Sequence, residues 1–175
     1  MARANGLDEK VFTEKLNQMA INNETTFGMG VASAVMGKAH PSGAWLCDPL
    51  LSNVNKVHVA RLPYETKVLA QDIAGGIAET GCMPSYVDFT DEKYGELLQK
   101  YIGAAVDGET RARIARLVEW LTIGAGVPGC MHGGGSPDGA KLFVRLFSDI
   151  KGHIELARGL AGIEADVPKP ERKRR

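Results

Sequence analysis

Between Met131 and Pro137 the chain reads Met-His-Gly-Gly-Gly-Ser-Pro, placing His132 directly before Gly133, Gly134, Gly135 and Ser136. An imidazole titrates near neutrality, so His132 is suited to pass a proton or to hydrogen-bond a ligand; its other reading is a structural hydrogen-bonding residue at a helix junction. Glycines just ahead of a helix leave backbone N–H groups uncovered and let a ligand approach closely, which favours anions. A second pair, Gly75-Gly76, follows Asp72 at the end of an apolar-periodic stretch. Paired glycines there permit the same close approach, and they also serve as an ordinary helix C-cap. Glu24, within Asn23-Glu24-Thr25, falls on or beside the apolar face of a helix. It reads either as a buried acid near an active site or as a group hydrogen-bonding two helices. Arg61, close to Pro63, would meet a phosphate or an acidic neighbour.

The elements that must position these residues are helical. From Leu7 to about Lys38, Phe12, Leu16, Met19, Ala20, Phe27, Val31 and Val35 recur at helical spacing. Pro41, Ser42 and Gly43 end that stripe, and Asp48-Pro49 reads as an N-cap with proline in the first helical position. A second helix then runs toward Gly75-Gly76, with a kink or division at Pro63. Thr80 to Asp91 reads as a loop, Glu92 to Ile102 as a short helix, and Glu109 to about Gly124 as a long one whose arginines mark a solvated or interface face. Ser136-Pro137 opens a last helix with a stripe from Leu142 to Ala161. The expected fold is all-α: an antiparallel four-helix bundle over residues 1–163 with one extra short helix. The proline-interrupted, charged segment 164–175 is expected to be a disordered basic tail.

Composition narrows the partners. The chain has 175 residues with 21 acidic and 21 basic side chains, a formal charge of zero that speaks against nucleic acid or anionic lipid as the main partner. Cys47, Cys82 and Cys130 are widely spaced and form no paired-cysteine motif, so neither a disulfide framework nor a zinc site is indicated. A reducing, cytoplasmic setting is the expectation, and no apolar run approaches a membrane span.

Four stretches in order, "RLPYETKVLAQDIAGGIAET" (61–80), "RIARLVEWLTIGAG" (113–126), "MHGGGSP" (131–137) and "ARGLAGI" (157–163), together resemble a flavoprotein family. It is the family of 4-hydroxybutyryl-CoA dehydratase/vinylacetyl-CoA isomerase and 4-hydroxyphenylacetate 3-hydroxylase, and the resemblance is to its C-terminal helical domain. The likeness runs from about Val11 through "NNETTF" to Ile163 and is closer to the dehydratase branch, which carries the Met-His-Gly-x-Gly-Ser-Pro stretch.

The resemblance implies an acyl-CoA dehydrogenase architecture: an N-terminal helical domain, a middle β-domain, and a C-terminal four-helix bundle that builds a tetramer. Only the bundle is matched here. It further implies FAD lying between the β-domain and the bundle and reaching a neighbouring subunit, with Asp72, Gly75 and Gly76 at the contact and Gly133, Gly134, Gly135 and Ser136 as further cofactor-binding candidates. The flavin would be shared with a partner chain carrying the N-terminal and β-domains, beside homo-oligomer contacts, and the substrate would be an acyl-CoA or a phenol. Any iron–sulfur cluster would be held by that partner, because the family's cluster ligands lie upstream of the matched region. Cys47, Cys82 and Cys130 are accordingly expected as small buried or partly buried thiols.

His132 matches the family histidine and Glu24 a family stretch, which makes both catalytic candidates. One departure is chemical: family dehydratases carry Thr-Glu-Ser before Met-His-Gly, whereas Pro128-Gly129-Cys130 stands here. Gly129 cannot transfer a proton, so the resemblance does not bring the glutamate's acid–base step with it. Three expectations follow: a C-terminal component of a dehydratase-like flavoenzyme, inactive by itself; a component of a hydroxylase-like flavin monooxygenase; or a non-catalytic helical scaffold.

Overall fold

In the computed structural model, residues 1–79, 83–123 and 135–163 are described, without the side chains of Ile77 and Glu79. The helices are α1 (Thr13–Val35), α2 (Pro49–Val59), α3 (Leu62–Ala74), α4 (Gly76–Glu79), α5 (Gly95–Ile102), α6 (Gly108–Thr122), α7 (Pro137–Phe147) and α8 (Ile150–Leu160). Short 3₁₀ turns occupy Arg3–Asn5, Glu9–Phe12 and Tyr86–Thr90. The fold is thus all-α apart from an antiparallel two-stranded ribbon, β1 (Lys38–Ala39) and β2 (Trp45–Leu46), in which Lys38 faces Leu46 and Ala39 faces Trp45. Strands of two residues carry no readable alternation, so the ribbon was hidden inside the expected end of the first helix and the breaker that follows it.

The helix boundaries have local causes. Asp48 caps α2 by accepting from Leu51 N–H at 2.8 Å, with Pro49 in the first turn. Pro63 lies in the first turn of α3, where its missing N–H costs nothing, and the expected kink is a division into two helices there. The last stripe corrects the single expected helix into two. Ser148 is extended, and Asp149 accepts from Gly152 N–H at 2.9 Å to start α8, so a cap interrupts a sequence whose apolar periodicity runs straight through.

Cross-links establish the antiparallel arrangement. Asp48 N–H donates to Ser33 O at 2.8 Å near one end of α1, while Lys15 Nζ meets Asp72 Oδ2 at 2.8 Å near the other. The rod formed by α2 and α3 therefore runs back along the whole of α1. Helix α6 packs on α3, and α7 on α2. Arg111 Nε donates to Asn5 Oδ1, and Asn5 Nδ2 to Ala74 O, so the start of α6 lies near the end of α3. Phe147, at the end of α7, shares a hollow with Leu50 at the start of α2.

The face of α1 that meets α2 and α3 is polar and small. Asn22 and Ser33 are the buried polar residues of the described chain, and Gly30 lies against Asn55, where an added Cβ would stand 3.3 Å from its amide nitrogen. The large apolar residues of α1, including Phe27 (69 % exposed) and Val35 (71 %), face away from this contact. In α6 and α7 the buried positions are Gly108, Ala112, Ala115 and Ala140, while Leu117, Trp120, Leu142 and Leu146 are exposed. The apolar stripes are helical as expected, but most of their surface faces outward.

The arginines of α6 correct the expected solvated face as well. Arg111 also donates to Ile102 O at the end of α5, and Arg116 donates to Met83 O at 3.0 Å ahead of the Tyr86–Thr90 turn, so both tie neighbouring segments to the helix; Arg113 pairs with Glu109 on the exposed side. A modest core of Met83, Phe89, Ile102, Ala112 and Ala115 sits between α5, α6 and the Tyr86–Thr90 turn, with Met1 and Leu98 packed on it. The expected tail at 164–175 lies outside the described residues.

Candidate functional site

Helix α3 brings the first group of candidates together at its C-terminus. Gly75 N–H donates to Gln71 O at 2.9 Å, and Gly75 adopts φ +75°, which disfavours any residue with a Cβ. Both readings of the glycine pair survive, because the cap coexists with uncovered backbone: nothing lies within 4 Å of a Cβ built on Gly75 or Gly76. Asp72 stands one turn earlier and is half-exposed.

The polarity of this corner is specific. A helix C-terminus carries the negative end of the dipole, and Asp72 adds a carboxylate. Lys15, 39 % exposed, is the countercharge at this corner. Sequence reading missed it, because Lys15 and Asp72 are 57 residues apart and only the antiparallel register pairs them.

Gly135 and Ser136, the described members of the second group, lie at the head of α7. Gly135 has φ +107° with open space around it, and Ser136 Oγ accepts from Gly139 N–H at 3.0 Å, the N-cap expected from Ser136-Pro137. His132, Gly133 and Gly134 lie outside the described residues. Because α7 runs against α2, its head lies toward the α2–α3 junction, whereas Gly75 is at the far end of α3. Thirteen residues of helix separate those places, about 20 Å at the usual rise. Gly135 and Ser136 therefore do not cluster with Gly75 and Gly76 within a single chain.

Glu24 is exposed in this chain, unlike the buried acid of its first reading, and lines an open groove with Asn23, Thr26 and Phe27. The buried polar residue of that stretch is Asn22, two positions earlier and 3 % exposed. Its amide nitrogen approaches Thr66 Oγ1 at 3.3 Å and Leu62 O at 3.4 Å, and its oxygen accepts from Gln18 at 2.8 Å. Arg61 pairs with Glu65 at 3.3 Å, the acidic neighbour of its two readings. Cys47 is exposed rather than buried, while Cys82 and Cys130 lie outside the described residues. Among the described residues no group of three or more His, Cys, Asp or Glu side chains could hold a metal ion.

Shifted acidities occur away from these candidates. Hydrogen bonding from Arg3 lowers the Glu9 carboxyl to about 2, and hydrogen bonds from Thr110 lower Asp107, the N-cap of α6. Nearby Asp91 raises the Tyr94 phenol.

The geometry can now be set beside known proteins. The chain is 36% identical over 165 residues to the 4-hydroxybutyryl-CoA dehydratase/vinylacetyl-CoA-Δ-isomerase of Clostridium aminobutyricum, covering 86% of this chain and 33% of that protein. It superposes on an oxygen-tolerant archaeal 4-hydroxybutyryl-CoA dehydratase from N. maritimus with a TM-score of 0.87 and 40% identity, covering 97% of this chain and 35% of that one. The chain thus spans about one third of the length of each. The family model described as 4-hydroxyphenylacetate 3-hydroxylase C terminal matches residues 1–162, and with that extent of match the chain belongs to this family.

Proposed function

We propose that this chain is the C-terminal component of an FAD-dependent enzyme resembling 4-hydroxybutyryl-CoA dehydratase, completing a flavin site and an oligomer whose β-domain comes from elsewhere. The observation that carries the reading is the match of nearly the whole chain to a C-terminal family, combined with identities of 36% and 40% to two dehydratases. When bound, FAD would supply the redox chemistry, and this chain would supply position and electrostatics. Asp72 would accept a hydrogen bond from the nucleotide, with the uncovered backbone of Gly75 and Gly76 allowing close approach. Gly135 and Ser136 would serve the other glycine-rich end together with His132, Gly133 and Gly134. The length of α3 between these groups supports a cofactor contacted by more than one chain.

The outward apolar faces of α1, α6, α7 and α8 support assembly with copies of this chain and with a partner bearing the N-terminal and β-domains. An acyl-CoA substrate goes with the dehydratase reading. Any iron–sulfur cluster belongs to the partner, and the isolated chain is inactive. The chain's location is the cytoplasm; no described helix is long and apolar enough to cross a membrane. A hydroxylase-like component acting on a phenol is the second reading, favoured by the description of the matching family.

The test is the visible spectrum of the complex captured anaerobically on this chain from its source. Flavin bands with a broad iron–sulfur shoulder are expected. Flavin bands without the shoulder would favour the hydroxylase-like reading, and a colourless complex would overturn both in favour of a helical scaffold.

A further inference from the structure

From Leu16 to Val35, helix α1 carries a single charged side chain, the carboxylate of Glu24. Helical spacing sets Glu24 on the outward side with Phe27, Val31 and Val35, all of them exposed. Glu24 forms no ion pair among the described residues. It lines the open groove with Asn23, Thr26 and Phe27, and one turn further on nothing lies within 4 Å of a Cβ built on Gly28. A glycine inside a helix costs stability relative to alanine, and here it leaves room for another chain to come close.

Helix α7 has the opposite sign. Leu142 (72 % exposed) and Leu146 (70 %) flank Arg145 on its outward side. Lys141 pairs with Asp138 at 2.9 Å, and Asp149, one turn after Arg145, accepts from Gly152 N–H. Arg145 itself forms no ion pair among the described residues. Each helix thus presents one unpaired charge within exposed apolar surface. Helix α2 packs on both α1 and α7, so one molecule offers both faces.

We propose that these faces are the two halves of a contact between copies of this chain, with Arg145 of one copy entering the groove at Glu24 of the other. A two-fold exchange forms the pair twice and leaves neither charge uncovered. A second copy is the occupant that the charges select, because it brings the missing cation already set between Leu142 and Leu146. A guanidinium is also the more weakly hydrated cation and offers a planar fork to a carboxylate. Enclosed by apolar side chains, either charge alone would oppose the contact through its lost hydration, whereas the pair permits it and is little screened by salt. The pairing rests on the self-assembly proposed above and names its faces.

Sedimentation equilibrium of the full chain at physiological ionic strength is the test, with far-ultraviolet circular dichroism to verify the helices of each variant. Glu24→Arg and Arg145→Glu should each weaken self-association on the order of thirtyfold, and combining them should recover most of the loss. If a reversal fails to fold, Glu24→Gln and Arg145→Gln take its place, and their combined loss should be smaller than the sum of the single losses. Single reversals without effect, or no recovery in the double variant, would overturn the pairing and leave self-assembly through other faces standing. A wild-type chain that stays monomeric at every concentration would overturn both.

Discussion

Hydrogen bonds hold the exposed carboxyls of Glu9 and Asp107 below their ordinary range, a small contribution to stability that acid removes. The Glu9 carboxyl, held by Arg3, titrates at about 2 against an ordinary value of 4.5. A depressed folded value means that the stabilisation is fully present above the ordinary value and is lost as pH falls through the folded one. Asp107 shifts in the same direction. Melting temperature measured from pH 6 to pH 2 should therefore fall on the acid side, and Glu9→Gln should lower it slightly above pH 5, flatten that slope and converge with the wild-type chain near pH 2. Gly75 makes a separate claim. Its φ of +75° means that Gly75→Ala should cost about 1 kcal/mol in chemical denaturation, and Gly75→Leu should reduce flavin retention in a reconstituted complex while assembly persists.

At the scale of elements, Asn22 is the polar pin between α1 and the start of α3. Asn22→Leu keeps the volume but removes the buried amide that bonds Gln18 and Thr66, a cost of about 1 kcal/mol that urea unfolding would read. Caps are similarly accessible to experiment: Ser136→Ala removes the acceptor for Gly139 N–H and should destabilise α7 by about 1 kcal/mol. These caps were the most legible features in the sequence, because Asp48-Pro49 and Ser136-Pro137 act through bonds three residues long. Pro63 was legible as a division for the same local reason. The break before α8 was not, since Asp149 sits inside an unbroken apolar stripe and only its cap bond overrides the periodicity. Contacts such as Lys15–Asp72 required the register of two helices, which periodicity does not supply.

On the scale of the whole molecule, the stripes predicted the helices but not the direction of their faces. Periodicity identifies which residues share a face, whereas small residues such as Ala112, Ala115 and Gly30 decide which face another helix of the same chain can approach. Large side chains such as Phe27 and Leu146 are left for contacts outside the chain. With a formal charge of zero, little repulsion opposes such association. Sedimentation of the isolated chain should show concentration-dependent self-association that sulfate strengthens, the salt response of apolar rather than ionic contacts. Leu142→Glu with Leu146→Glu should reduce it and leave helical content intact.

Helix α8 adds a consequence in time rather than in affinity. It has no extensive packing against another described helix, and Leu160 is 82 % exposed. Its amides therefore have little besides their own turns to slow deuterium uptake, whereas α1 around Asn22 is packed on α3. The contrast makes α8 a clock for assembly. Its exchange should be among the fastest of the described helices in the lone chain and should slow by orders of magnitude once a second surface covers it, giving each amide a record of when that surface arrived.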